Sequence, residues 1–254
     1  MLLTSTTDRK EIKVAVVSQA RMTSTRLPGK VLADIDGRPM LHYHVERIRR
    51  HGLPLIVATT TNEDDQPIVS FCREKGIDSF RGDEDDVLAR YYETAEAYDL
   101  DVIVRVTSDC PLIDGKKVRE GVEKYLDRAG PFDYLGTGVP QKTYPLGFSF
   151  EVFDRRLLRA AHENASHPKM REHVTPYMKQ NKHPSTTLLG HPLDEDWSDY
   201  RLTVDTPEDL TMVRRLIQDW DADSRSVGSI VDLLREHPDL QAINSDVHQK
   251  KWFE

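Results

Sequence analysis

The chain has little cysteine. Cys72 and Cys110 are the two it contains in 254 residues, which offers neither a disulfide framework nor a cysteine metal cluster and makes a reducing cytoplasm the simpler setting. Its ten histidines lack HExxH or a comparable spacing, so a zinc site is not expected. No segment approaches the roughly 18 apolar residues of a membrane span. The stretch from Met1 to Lys10 is polar and has no signal-peptide core, so neither membrane insertion nor export is expected. Positive charge is also in deficit. A net charge of -8 and a pI near 5.7 remove any broad attraction for nucleic acid or anionic lipid. A phosphate site must therefore be local.

Several catalytic motifs are missing too. There is no GxxxxGK[ST] phosphate loop, no GxGxxG dinucleotide turn and no GxSxG nucleophile elbow. Cys110 stands immediately before a proline without a histidine partner in view, and is read as a small buried residue. Internal repeats and low-complexity segments are absent as well.

What is present describes a globular protein with a heavily charged surface: 38% hydrophobic residues, 31% charged residues and a mean hydropathy of -0.58. The length suits one large α/β domain, residues 1–254. Ile12 to Ser18 (IKVAVVS) reads as a central strand buried on both faces. A polar loop, Gln19 to Lys30, follows. Pro39 and Met40 open a helix with Leu41, Val45 and Ile48 on one face, ended by Gly52.

Leu55 to Ala58 reads as a strand, and Gln66 to Lys75 and Asp86 to Tyr98 as helices. Asp101 to Thr107 (DVIVRVT) is another buried strand, stopped at Pro111. Strands separated by helices predict a mostly parallel sheet flanked by helices. From Gly136 the alternation breaks into a Gly/Pro/aromatic stretch, and an inserted lobe of about 136–190 is expected beside the sheet. Helices are predicted over Arg155 to Asn164 and Arg171 to Gln180, a short strand near Thr186 to Leu189 and a last strand over Tyr200 to Val204. Pro207 begins a helix to about Gln218. A helical extension of about 222–254 closes the chain, with segments at Val227 to Arg235 and Pro238 to Lys250.

Open α/β sheets bind ligands at the carboxyl ends of their strands. The loop QARMTSTRLPGK puts Arg21, Arg26 and Lys30 at such an end. Taken alone, three cations make a solvated basic loop. At this position they suit a triphosphate, held by arginine forks, a lysine charge and backbone N–H groups. Asp109 and Asp205 also fall at strand ends and could share one hard cation with nucleotide phosphates. Asp205-Thr-Pro-Glu is equally a helix start. The acidic run Asp83 to Asp86 reads mainly as a capped helix N-terminus. Tyr144, Phe148, Phe150 and Phe153 read as core or as an aromatic substrate wall. Glu151 among them is harder to assign to packing.

QARMTSTRLPGK, RGDEDDVLARYY, RVTSDCPLID, REHVTPY and LTVDTPEDL occur in an order that resembles the cytidylyltransferases of the spore coat polysaccharide type. The resemblance spans roughly Lys13 to Leu216, and the chain is more distantly similar to the synthetases of CMP-activated 3-deoxy-manno-octulosonate and sialic acids. It implies a Rossmann-like nucleotidyltransferase fold, with CTP held by Gln19, Ala20, Arg21, Arg26 and Lys30 and Mg2+ held by Asp109 and Asp205. It also implies Arg81 to Asp86 near the cytosine and Thr107 beside the nucleotide. Arg171 and His173 would face the acceptor with Tyr144 and Glu151, and a homodimer would form through the lobe. Such relatives commonly read YPDGLDVEVF where this chain has YPLGFSFEVF. Leu146 and Ser149 thus stand in place of two aspartates, which implies an acceptor pocket that is less acidic and more apolar.

The expected reaction is attack by an acceptor oxygen on the α-phosphorus of CTP, with pyrophosphate leaving. The acceptor expected is a sugar acid, a sugar phosphate or a related anion, for surface polysaccharide or glycoconjugate synthesis. A glycosyltransferase using a nucleotide sugar is the rival. Against it, the strand-end segment reads Ser108-Asp109-Cys110 and not DxD.

Overall fold

The computed structural model describes residues 12–180 and 182–249; the stretch from Met1 to Lys10 and Lys250 fall outside them. In chain order the elements begin with β1 (Val14–Gln19), a hairpin of β2 (Asp34–Ile35) and β3 (Arg38–Pro39), α1 (Met40–Arg49), β4 (Leu55–Thr60) and α2 (Gln66–Glu74). Then come β5 (Asp78–Gly82), α3 (Val87–Ala97), β6 (Val102–Thr107), α4 (Gly115–Arg128), β7 (Tyr134–Gly136) and β8 (Glu151–Asp154). The remainder is α5 (Arg155–Asn164), α6 (Pro168–His173), α7 (Pro176–Lys179), β9 (Leu188–Gly190), α8 (Pro207–Trp220), α9 (Val227–Glu236) and α10 (Pro238–Ala242).

One seven-stranded sheet runs β5-β4-β1-β6-β8-β7-β9. Its β5, β4, β1 and β6 are parallel neighbours, β8 is antiparallel to both β6 and β7, and β9 is parallel to β7. Alternate side chains of each strand enter different cores. Val16, Val57 and Val104 pack with α1, α4, α8 and α9 on one face; Ala15, Val17, Ile56 and Ile103 pack with α3 and α5 on the other. Burial on both faces is why IKVAVVS and DVIVRVT read as nearly unbroken apolar runs.

From β1 the chain moves outward through β4 to β5 and then returns to the other side of β1 as β6. The crevice between the ends of β1 and β6 is therefore the topological switch point of the sheet. The basic loop leaves β1 there, and Asp109 follows β6 there.

Three local expectations differ from the structure. Tyr200 to Val204 is not a strand: it makes one isolated bridge, Leu146 to Arg201, and otherwise lies between Leu146 and Asp109 by single backbone bonds. Arg171 to Gln180 is broken at Val174, where φ is +66°, and restarts at Pro176, which as a proline tolerates only a first-turn place. The helix expected over Pro238 to Lys250 is, among the described residues, only α10, Pro238–Ala242, followed by turns. In the 136–190 segment, β8 and β9 extend the main sheet.

Candidate active site

The basic loop is pinned by a buried carboxylate. Asp65, fully enclosed at the start of α2, accepts from the Met22 N–H at 2.7 Å and from the hydroxyls of Thr59 and Thr60 on β4. The loop then turns back at Gly29, whose φ of +73° is left-handed and suits glycine. Its N–H bonds the Met22 carbonyl at 2.8 Å, and a single 3-10 turn over Lys30–Leu32 carries the next side chain inward.

Lys30 is 7% exposed. Its Nζ donates to Asp205 Oδ1 at 2.9 Å, to Asp109 Oδ2 at 3.1 Å and to the Val204 carbonyl at 2.7 Å. Burial works against this charge, but Asp109 and Asp205 outweigh it and hold the Lys30 pKa above the ordinary 10.5. Burial likewise opposes the Asp109 charge, and Lys30 with the Thr107 hydroxyl (2.6 Å) brings that pKa below the ordinary 3.8.

The two aspartates come together because the Val204 N–H bonds the Asp109 carbonyl at 2.8 Å. Thr206 is the α8 N-cap, in a capping box with Asp209. Asp205, one residue earlier, is left to face Lys30, Arg26 at 3.0 Å and Arg201 at 3.1 Å. Arg201 in turn is held by Asp209, which is wholly buried.

A cleft of about 670 Å³ opens over this cluster, with Gln19, Ala20, Arg21, Arg26, Lys30, Thr107, Asp109, His173 and Asp205 all in its wall. Arg21 reaches across it to Glu84 at 3.3 Å, and Glu84 also accepts from Thr23 and Asn62. Each of the three predicted cations thus faces a carboxylate. Of the acidic run, Asp86 caps α3 through the Ala89 N–H, and Glu84 instead closes the basic loop.

A second cavity, about 590 Å³, adjoins the first and shares Arg26, Thr107, Asp109, Glu172, His173 and Asp205 with it. Its far wall holds Arg105, Glu151, Lys169, Lys179, Leu146 and Ser149. Gly147, between the last two, has φ +108°, and a Cβ there would meet the Leu202 and Thr203 backbone at 2.6 to 2.8 Å. Only glycine lets this wall close against the 200–204 segment. Glu151 accepts from Arg105 at 2.7 Å, from Tyr134 and Thr175 at 2.9 Å, and pairs with Lys179. Burial opposes its charge, yet Lys179 and Arg105 hold its pKa far below the usual carboxylate range.

Four predicted residues line neither cavity: Asp86, which caps α3 and pairs with Arg171, and Tyr144, Arg81 and Arg171. Tyr144 is fully buried and bonded to His191 at 2.9 Å, so it belongs to the core. Arg81 directs its guanidinium to the carbonyls of Thr60 and Asn62 and to Gln66. Arg171 binds Asp86 and the carbonyls of His162 and Ala165, tying α6 to the start of α3.

The sequence reading passed over three residues that line the cavities: Arg90, Arg105 and Lys179. Arg90 is 2% exposed, lines the larger cleft and leaves its Nε without a partner. For Arg105 a signal was present, since a lone charge inside an apolar strand must meet a counter-charge. Among the described residues no cluster of three or more His, Cys, Asp or Glu forms a metal cage, and no helix is long and apolar enough to cross a membrane.

Comparison with known proteins adds to this geometry. The sequence profile of a family described as cytidylyltransferase matches residues 15–251. The chain is 36% identical to the uncharacterized protein MJ1063 of Methanocaldococcus jannaschii, over 96% of this chain and 99% of that one. It is 31% identical to the spore coat polysaccharide biosynthesis protein SpsF of Bacillus subtilis, over 89% and 95% of the two chains. A solved cytidylyltransferase from Leptospira borgpetersenii superposes with a TM-score of 0.86 at 31% identity, covering 91% of this chain and 97% of that one.

Proposed function

The chain belongs to the cytidylyltransferase family, and from that premise we propose how its two cavities divide the reaction. CTP binds in the larger cleft and an anionic sugar-like acceptor in the smaller. The observation that carries this reading is the shared wall: Asp109 and Asp205 border both cavities, with Lys30 between them. A group transferred from one substrate to the other must cross at that boundary.

Arg21, Arg26 and Lys30 neutralise the triphosphate, and Arg90 adds a fourth cation. Gln19, Ala20 and Thr107 line the same cleft. An acceptor oxygen attacks the α-phosphorus in line; the bond to the β-phosphate oxygen breaks and pyrophosphate leaves. In the smaller cavity Arg105, Lys169 and Lys179, with His173 at the boundary, favour an anion, a carboxylate or phosphate. Leu146 and Ser149 in its wall make it less acidic than the two aspartates of spore coat relatives would.

Asp109 and Asp205 also fit a magnesium ion: their hard oxygens already gather around one cation, the Lys30 ammonium. When bound there, Mg2+ would supply charge stabilisation for the phosphates. The use of CTP is in keeping with the cytoplasm, and a product for surface polysaccharide is in keeping with the SpsF relationship. The proposed homodimer would use the β9 end of the sheet, where Leu188 is exposed; sedimentation measures it directly.

The deciding experiment is pyrophosphate release with CTP, UTP, ATP and GTP, each against sugar acids, sugar phosphates, polyol phosphates and phosphonates. Release with CTP and one anionic class is expected. Acceptance of neutral sugars in preference to anions would overturn the acceptor assignment.

A further inference from the structure

Behind the cleft floor lies a buried titratable group that the reaction scheme does not use. His44, on α1, is 0% exposed. Its Nδ1 is 2.9 Å from the Cys110 carbonyl and its Nε2 is 2.8 Å from Ser18 Oγ; that oxygen is 2.7 Å from Ser108 Oγ. Ser18 and Ser108 are also buried.

The direction of every proton in this chain follows from its end. A carbonyl only accepts, so His44 Nδ1 carries the hydrogen. Nε2 must then accept from the Ser18 hydroxyl, and Ser18 Oγ accepts from Ser108. His44 and Ser18 each have one partner as donor and one as acceptor, and the Ser108 hydroxyl donates to Ser18, in a dry interior where an unmet polar atom is costly. A charged imidazole would reverse the order and leave the Ser108 hydroxyl with no acceptor. Burial accordingly drives the His44 pKa down to about 4.

The chain grips specific backbone. Ser18 is the penultimate residue of β1, next to Gln19 and the basic loop. Ser108 and Cys110 are the two neighbours of Asp109. We propose that His44 is a positioning residue: through Ser18, Ser108 and the Cys110 carbonyl it locks both flanks of Asp109 against the start of the basic loop. Asp109 then meets Lys30 in one orientation only. The metal-linked part of the test rests on the Mg2+ reading above; the structural part does not.

Two variants separate position from packing. In His44→Asn the amide nitrogen can take the place of Nδ1 and keep the bond to Cys110. In His44→Gln the amide reaches the Nε2 place and that bond is lost. Crystal structures of both are compared first. The 3.1 Å contact of Asp109 with Lys30 is expected to survive in His44→Asn and to break in His44→Gln; survival in both overturns the proposal.

CTP affinity is then measured by calorimetry with and without Mn2+. The Mn2+-dependent gain is expected to fall about tenfold in His44→Gln and to hold in His44→Asn, the size seen when a group supporting a metal ligand is lost. Equal losses in both, in step with equal losses of Tm, would mean packing alone and also overturn it. If the parent protein shows no Mn2+ effect, the metal reading fails and the crystal comparison still decides. Should His44→Gln not fold, His44→Leu removes both ring hydrogen bonds at similar volume, and an unmoved Asp109 there counts against the proposal.

Discussion

Lys30 Nζ stands 2.9 Å from Asp205 Oδ1 while still 3.1 Å from Asp109 Oδ2, so one buried ammonium joins the ends of two segments far apart in the chain. Replacing it by methionine leaves two carboxylates without their shared counter-charge. Because Asp109 keeps some contact with water, the loss is set below that of a fully buried pair, at about 2 to 3 kcal/mol. Urea unfolding measures it. The pair needs Lys30 charged and Asp109 ionised. The gap between parent and Lys30→Met therefore narrows as the pH rises from 10.5 through the raised Lys30 pKa and again as the pH falls below 3.8 through the lowered Asp109 pKa.

Asp109→Asn and Asp205→Asn keep the shape of the cluster and remove its charge. Pyrophosphate release is expected to drop by about a hundredfold or more in each, with circular dichroism unchanged. Full activity in both would remove these residues from the chemistry.

Lys179 and Arg105 share Glu151 in the smaller cavity. Lys179→Met is expected to raise KM for the acceptor about tenfold, the worth of roughly 1.4 kcal/mol, with KM for CTP unaltered. Glu151→Gln strands the buried Arg105 and is expected to cost stability by about 3 kcal/mol. An equal rise in both KM values for Lys179→Met would place the acceptor elsewhere.

Arg171 serves architecture in this fold. Lysine cannot reproduce its bonds to Asp86 and two carbonyls. Arg171→Lys is therefore expected to lower stability by about 1 to 2 kcal/mol and to leave KM for CTP unchanged. A specific rise in acceptor KM without loss of Tm would restore the sequence-based assignment to the acceptor.

His44 makes acid stability asymmetric. The unfolded chain takes up this proton near 6.5 and the folded one only near 4, so stability falls as the pH drops through that window, by roughly 3 kcal/mol at most. The slope of stability against pH in the same interval is expected to be shallower in His44→Asn.

Much of the fold was legible because its strands are buried on two faces. IKVAVVS and DVIVRVT could scarcely be anything else, and Arg155 to Asn164 matches α5 at both ends. Other elements were hidden by weak patterning. Strand β5, DSFRG, has one fully buried residue. Helix α4 shows only Val118, Val122 and Tyr125 as its large buried side chains among many charges. Strands β7 and β8 are short and lie in a stretch that reads as loop.

The local sequence by itself determined that a basic loop leaves a central strand and that Asp109 stands at another strand's end, since both follow from apolar runs and the residues that stop them. Only the tertiary structure decided the partners. Lys30, read from sequence as a phosphate ligand, also bridges Asp109 and Asp205; Arg171 ties α6 to the start of α3 and Tyr144 lies in the core; Arg105 and Lys179 line the second cavity. Charge pairing depends on distances of a few ångströms between segments that only the folded sheet brings together, and no spacing along the chain encodes those distances.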